Sequence, residues 1–173
     1  MRRRFKSGEF VFVQDMSDLF AACVPEEIIN EVLKVISSQP DVNFLLLTKN
    51  PARYIDFDLP RNTVAGATIE TDIQTHLDEA TKAPTYTSRL TAMTFLKRSV
   101  RHKTMLSIEP VMQFSGDFLS EIVVMKPDFI AIGYDNYNHG LTEPPLKHAE
   151  GLAQGLEDLK FKVYRKTMRE KHE

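Results

Sequence analysis

The chain has 173 residues, of which 42% are hydrophobic and 27% charged, and its formal net charge is −2. That length suits one domain with its own core, because a domain of about 150 residues buries roughly 70% of the surface that its unfolded chain exposes. No run reaches the roughly 18 apolar residues of a membrane span, and the small negative charge argues against a dedicated nucleic-acid binder.

The amino-terminal sequence MRRRFKSGEF is basic but lacks the apolar core of a secretory signal, so a cytoplasmic protein is expected. The single cysteine, Cys23, cannot form an intrachain disulfide or supply the three or four thiolates of an iron–sulfur cluster. We expect it to be a small buried apolar residue. The sequence also lacks the P-loop, the dinucleotide-binding fingerprint and the zinc-protease motif.

The first predicted strand is the apolar run Phe10–Val13, which is typical of a strand buried on both faces of a parallel sheet. A polar cluster that includes Asp15, Ser17 and Asp18 follows it directly, where the strand would emerge. A helix is predicted next over residues 24–38. Its apolar stripe comprises Ile28, Val32, Val35 and Ile36.

Two more strands are predicted in the first half of the chain. The second, residues 44–47, ends just before Lys49. The third, residues 63–71, contains Gly66, where the missing side chain predicts a close approach of another backbone or a ligand. The polar residues near its exit are Thr68 and Glu70.

The second half of the chain alternates in the same way. Residues 72–87 have weak periodicity and are predicted to form a long loop with a partial helix. The later predicted elements are a helix over 88–98, a strand over 103–108, a helix over 116–126, a strand over 128–133, a helix over 144–159 and a strand over 162–164. The polar residues that follow these strands are Glu109, then Tyr134, Asp135 and Asn136, and finally Lys166.

Six strands that alternate with helices predict an α/β fold with a parallel sheet and right-handed crossovers. Ionisable residues follow every strand, whereas the turns that lead into strands are plain connectors. Such an asymmetry is expected of the active-site face of a barrel, which lies at the carboxyl ends of its strands. The pattern by itself leaves a closed barrel, an open partial barrel and a doubly wound sheet as alternatives.

Six segments, taken in order, resemble a known family. They are VFVQDMSDLFAACVPEEII, NFLLLTKNPARY, VAGATIET, KAPTYTSRLTAM, MLSIEPVM and FIAIGYDNYN. Their order and spacing resemble a phage-associated and archaeal family of uncharacterised proteins assigned to the radical S-adenosylmethionine superfamily. They are more distantly similar to the spore photoproduct lyase group. The resemblance covers about residues 5–170.

The resemblance implies a partial TIM-like (β/α) barrel of about six parallel strands that binds S-adenosylmethionine at their carboxyl ends. Members with the full pattern carry a C-x-x-x-C-x-x-C loop that binds a [4Fe–4S] cluster, and this chain has no such loop. We therefore expect a single domain over residues 1–173 that lacks an N-terminal β/α unit. The cluster would come from another segment or a separate chain, and a nucleotide or nucleic acid is the suggested substrate.

The positions that match the cofactor-binding motifs of the family are Asp15, Ser17, Asp18, Thr68, Glu70 and Arg89. Carboxylates suit the ammonium group of the methionine moiety, because charge-assisted hydrogen bonds are the stronger ones. Glu70 would accept hydrogen bonds from the ribose, and the guanidinium of Arg89 would bind the carboxylate. The structural alternatives are that Asp18 caps a loop and that Arg89 ties down its own loop.

Glu109, Lys49 and Lys166 are the candidates for acid–base catalysis. Lys49 could instead pair with Asp15 or Glu70, and Glu109 needs a cation or a ligand nearby if it is buried. The loop residues Tyr134, Asp135 and Asn136 could bind a substrate, or could simply form a turn rich in Asn and Asp. His139 and His148 are interpreted as surface residues.

These residues support two main hypotheses. In the first, the chain is the cofactor-binding portion of a radical S-adenosylmethionine enzyme. In the second, it is a non-catalytic binding module on a (β/α) barrel that holds a partner or a phosphorylated ligand. An ordinary barrel enzyme that uses Glu109 with Lys49 or Lys166 is a third, weaker hypothesis.

Overall fold

The structure is a computed structural model that describes residues 4–14, 16–99 and 102–170. Its strands are β1 (Phe10–Val13), β2 (Asn43–Thr48), β3 (Thr63–Thr68), β4 (Lys103–Ile108), β5 (Phe129–Ile132) and β6 (Val163–Arg165). Its α-helices are α1 (Glu26–Ser37), α2 (Gln74–Ala80), α3 (Tyr86–Ser99), α4 (Phe118–Met125) and α5 (Leu146–Asp158). A short 3₁₀ helix, η1 (Pro51–Asp56), follows β2.

The six described strands form one sheet in chain order, and each pairs in parallel with the next. The sheet is a curled half-barrel with helices between its strands, so the predicted α/β partial barrel is confirmed. Successive parallel strands need crossovers, and the helical segments provide them. Because all strands run the same way, every strand exit lies at one edge, which we call the carboxyl rim.

The main core lies between the sheet and the helices on its outer side. Ile29 and Leu33 of α1, Met93 of α3 and Phe118 of α4 are buried there with alternate strand residues such as Leu106. The intervening strand residues point to the opposite, inner face, since side chains alternate along a strand. A second, smaller buried cluster on that face consists of Leu45, Val64, Met105 and Ala131.

The expectation that β1 is buried on both faces is wrong. Phe10 is 55% exposed and Phe12 is 44% exposed, whereas Val11 and Val13 pack against the main core. β1 is the first strand of an open sheet, so its inner side faces the open interior of the half-barrel rather than a layer of side chains. An apolar run cannot by itself distinguish a central strand from an edge strand.

The predicted apolar stripe of α1 is wrong for two of its four members. Ile36 is buried and Val32 is partly buried against the main core, but Ile28 is 46% exposed and Val35 is 37% exposed. The helix instead buries the neighbouring stripe, which comprises Ile29, Leu33 and Ile36. Both stripes have helical spacing, and the packing against the sheet decides between them.

Two other local predictions have clear outcomes. Cys23 is exposed, so the expectation of a buried cysteine is wrong, because the part of the loop that precedes α1 lies at the surface. The close approach predicted at Gly66 is confirmed: a Cβ there would lie 3.2 Å from the Leu46 carbonyl oxygen and 3.0 Å from Cδ1 of Leu47. The partial helix predicted within residues 72–87 is α2, and α3 begins before the predicted boundary.

Candidate functional site

Glu70 is the centre of a charged network at the carboxyl rim, just beyond the end of β3. Its Oε1 lies 2.7 Å from the Lys49 ammonium, which follows β2, and its Oε2 lies 2.8 Å from Nη1 of Arg89 on α3. The side chain of Glu70 is 3% exposed and that of Lys49 is 38% exposed. Lys49 thus pairs with Glu70, as the structural alternative for this lysine predicted, but part of its side chain still faces solvent.

Arg89 is the most deeply buried charged residue of the network, with a side chain that is 0% exposed. Its Nε donates to the Pro84 carbonyl at 2.7 Å and its Nη1 donates to the Thr68 carbonyl at 3.1 Å. Burial lowers the pKa of this guanidinium, and the nearby Glu70 carboxylate opposes that shift. Its remaining nitrogen, Nη2, is buried and has no hydrogen-bond partner among the described residues.

Asp18 fixes the loop after β1 against the exit of β2. One of its oxygens accepts from the backbone N–H of Phe20 at 2.9 Å. The other accepts from the Thr48 hydroxyl at 2.9 Å and from the backbone N–H of Lys49 at 2.8 Å. Both oxygens are therefore engaged by the protein itself, which corresponds to the loop-capping alternative.

Glu109 and Lys166 form the second charged group of the rim, at the exits of β4 and β6. Glu109 is half-buried; burial raises the pKa of its carboxyl, and the charge of Lys166 opposes that rise. The backbone of Lys166 is held beside β5, where its N–H donates to the Ile132 carbonyl at 2.8 Å. Gly133 permits this approach, because a Cβ there would lie only 2.7 Å from the Cβ of Lys166. A carboxyl with a raised pKa suits proton transfer near neutral pH better than an ordinary one.

We expect Glu109→Gln to change how stability depends on pH. Burial raises the folded-state pKa of Glu109 above its ordinary value of 4.5, so folding favours the protonated form. The wild-type protein should therefore lose stability, relative to the variant, as the pH rises from the unfolded-state pKa through the raised folded-state pKa. Urea unfolding of both proteins between about pH 4 and about pH 8 measures this difference. A difference that stays constant or grows in favour of the wild type would contradict the prediction.

Asp135 organises the loop after β5. Its side chain is 5% exposed, and it accepts from the backbone N–H groups of Tyr137 at 3.0 Å and His139 at 2.5 Å. Burial would raise the pKa of this carboxyl, but these hydrogen bonds and the contact with the His139 ring lower it overall. Tyr134 is buried, and its hydroxyl donates to the Pro144 carbonyl at 2.8 Å. The exposed aromatic ring of this loop is therefore Tyr137, which is 81% exposed.

The remaining predicted site residues differ in how far they are exposed. Thr68 is buried at the end of β3, whereas Ser17 and Asn136 are exposed in the rim loops. Asp15 lies outside the described residues, so its predicted role stays a prediction. The network thus brings together Asp18, Lys49, Thr68, Glu70 and Arg89, while Glu109 and Lys166 form a separate group at the same edge.

Residues 2–129 match the model of a family described as protein of unknown function (DUF5131). The chain belongs to this DUF5131 family. The match spans β1 to β4 and therefore includes Asp18, Lys49, Glu70, Arg89 and Glu109. The searches of curated proteins and of solved structures gave no match.

The contact between Asp135 and His139 in this DUF5131 chain was not predicted from the sequence. Nδ1 of His139 lies 2.9 Å from Oδ1 of Asp135, and the imidazole is 63% exposed. A carboxylate held against one ring nitrogen orients a histidine and leaves Nε2 as the outer nitrogen. The signal that could have found this pair is the spacing of four residues between an aspartate and a histidine in one loop.

Within residues 4–14, 16–99 and 102–170, no group of three or more His, Cys, Asp and Glu side chains could hold a metal ion. No described helix is both long enough and apolar enough to cross a membrane.

Proposed function

We propose that this chain is the S-adenosylmethionine-binding barrel portion of a radical S-adenosylmethionine protein. The observation that carries the proposal is the buried guanidinium of Arg89, whose Nη2 has no partner among the described residues and which shares Glu70 with the half-exposed Lys49. Two cations at one strand exit suit a carboxylate. The Glu109 carboxyl on the same rim could receive an ammonium group.

The amino-acid end of S-adenosylmethionine has both of these groups, so the charges present suit it. Lys49 would hold the carboxylate directly, the buried Arg89 would add positive charge behind it, and Glu109 would accept from the ammonium group. Glu70 would position both cations rather than touch the ribose, since its two oxygens already accept from Lys49 and Arg89. Asp18 likewise would position the backbone of Lys49 instead of binding the cofactor.

The [4Fe–4S] cluster does not fit this chain. Beside a reduced cluster, S-adenosylmethionine supplies radical chemistry, but the cluster needs three or four thiolates and the sequence contains only Cys23. The cluster-bearing segment or separate chain is therefore part of the proposal, as is a nucleotide or nucleic acid as the substrate. We assign no radical step to the residues of this chain.

The proposal predicts that the chain binds S-adenosylmethionine through its amino-acid end. In calorimetric titrations, 5′-methylthioadenosine, which lacks that end, should bind at least about tenfold more weakly, because each charge-assisted hydrogen bond contributes roughly 1.5–3 kcal/mol. Lys49→Gln should weaken S-adenosylmethionine binding by a similar factor and leave methylthioadenosine binding unchanged. Lys147→Gln, a change on the exposed surface of α5, is the matched control.

The titration also tests the alternative of a non-catalytic binding module. The observation that favours this alternative is that Asp18, Glu70 and Asp135 all have their oxygens engaged by the protein itself. It predicts binding of a phosphorylated ligand, tested with inorganic phosphate and adenosine monophosphate, and no binding of S-adenosylmethionine. That pattern, or equal affinities for S-adenosylmethionine and methylthioadenosine, would overturn the first proposal.

A further inference from the structure

The interior of the half-barrel, which we call the lumen, is an apolar cavity of about 630 Å³. Its apolar lining includes Phe10, Leu45, Val64, Met105, Phe129 and Tyr164. A closed barrel of eight strands fills its interior with its own side chains. The six described strands leave the side between β1 and β6 open, so the lining is not fully covered.

Three aromatic rings form a row across this open side. Phe10 of β1 meets Phe129 of β5 edge to face with centroids 6.4 Å apart, and Phe129 meets Tyr164 of β6 at 5.9 Å. Phe10 is 55% exposed and Tyr164 is 44% exposed, while Leu45 and Val64 behind them are buried. Large apolar side chains exposed side by side usually indicate a surface that binds something.

The charges around the lumen are predominantly positive. Lys103, Lys162 and Lys166 line it, and the ammonium of Lys162 lies 5.0 Å from the centroid of the Tyr164 ring. The carboxylate in the lining is that of Asp128, and it is compensated, because its Oδ2 accepts from the Lys97 ammonium at 2.6 Å and from the backbone N–H of Thr104 at 2.7 Å.

No salt bridge to Lys103 or Lys162 is formed within the part of the chain that the structure describes. Both lysines are exposed at the amino ends of β4 and β6. An apolar cavity bordered by unpaired cations complements a molecule that has an apolar body and an acidic end. A cationic or neutral apolar molecule would leave the ammonium groups uncompensated.

We propose that the lumen binds an amphipathic anion, in which an apolar body lies against the aromatic row and a carboxylate or phosphate group lies between Lys103 and Lys162. The volume is within the range of small-molecule sites, which is about 300–1,000 Å³. This site is independent of the proposed S-adenosylmethionine site. The lysines that would hold its acidic group, Lys103 and Lys162, lie at the amino ends of β4 and β6, whereas the charged network around Glu70 lies at the carboxyl ends.

The first test uses the fluorescent probe 1-anilinonaphthalene-8-sulfonate, which combines an aromatic body with a sulfonate. Saturable binding by the folded protein is expected, and dodecanoate or dodecyl phosphate should displace the probe. The stronger of these two competitors identifies the acidic group. Dodecyltrimethylammonium should displace it at least about tenfold less well, because the apolar chain is the same and only the charge is reversed.

Substitutions then locate the site. Lys103→Gln with Lys162→Gln should weaken probe binding at least about tenfold, whereas Lys147→Gln on the surface of α5 should not change it. Phe10→Ser with Tyr164→Ser, two exposed residues, should weaken it as well. S-adenosylmethionine titrations of the lysine double variant should match the wild type, so failure of one proposal does not imply failure of the other.

Four results would overturn the lumen proposal. They are no saturable probe binding, equal competition by the cationic amphiphile, equal losses in the double variant and the Lys147→Gln control, and probe binding that appears only when a dimer dissociates. The last would mean that a second copy covers the lumen. Because partly folded proteins also bind this probe, cooperative urea unfolding and near-ultraviolet circular dichroism must first match for all variants.

Discussion

Replacing Glu70 with alanine is expected to lower the free energy of unfolding by about 3–5 kcal/mol, the usual result of removing one partner of a buried ion pair. The Arg89 guanidinium is completely buried and would lose the carboxylate that compensates it. Lys49 could turn towards solvent, but Arg89 could not do so without disrupting the packing of α3. Urea unfolding monitored by circular dichroism measures the change as a lower midpoint at a similar slope.

Two variants make this prediction specific. Glu157→Ala removes an exposed pair with Arg165, in which the side chains are 33% and 35% exposed, and should cost less than about 1 kcal/mol. Glu70→Leu combined with Arg89→Met removes both buried charges and should recover much of the loss. If Glu70→Ala costs no more than Glu157→Ala, Arg89 is compensated in some other way, and the network does not have the structural role described above.

Replacing Phe20 with alanine should also lower the free energy of unfolding by about 3–5 kcal/mol, the cost of removing a large buried aromatic side chain. Phe20 is 0% exposed, and its ring packs edge to face on Tyr54 with centroids 4.5 Å apart and on Phe57 at 5.7 Å. The change would leave a cavity between the loop after β1 and the helix η1.

The substitution should also make the loop after β1, which lies at the carboxyl rim, more mobile. The backbone N–H of Phe20 donates to Asp18, and its carbonyl accepts from the Asn50 side chain at 3.1 Å, so its ring anchors the loop that positions Lys49. Phe95→Ala on α3 is the matched control, because Phe95 is 49% exposed and should lose far less stability. Similar losses in the two alanine variants would show that the loop is not anchored through Phe20.

The sequence predicted the architecture because its strongest signals are local. Each strand is a short apolar run of β-forming residues, and each of the first five is followed by a helical segment, an order that favours a parallel sheet. Both β1 and β4 have their predicted bounds. The same order of elements puts the charged residues at the strand exits, so the sequence alone assigns Lys49, Glu70 and Glu109 to one edge.

The sequence did not predict which charged residues of that edge form ion pairs with one another. Glu70 could have met Lys49, Arg89 or a ligand. It meets both cations because the position of α3 puts Arg89 against the end of β3, where its Nη1 also donates to the Thr68 carbonyl. Such a contact depends on how a helix packs on the sheet, and residue type and spacing do not specify that. The pair of Asp135 and His139 is a different case, because both residues lie in one loop and their spacing of four residues is a local signal.

The chain's own sequence determined six parallel strands with helical segments between them and a single edge that carries the ionisable residues, because hydrophobic periodicity, turn residues and the order of elements are encoded locally. Only the tertiary structure decided which side chains are covered. In the tertiary structure, Phe10 is exposed at an open edge and Cys23 lies at the surface. Helix α1 buries the stripe that contains Ile29 and exposes Ile28. Whether a side chain is buried depends on residues that are distant in the sequence. The curl of the sheet determines which of those residues pack against it.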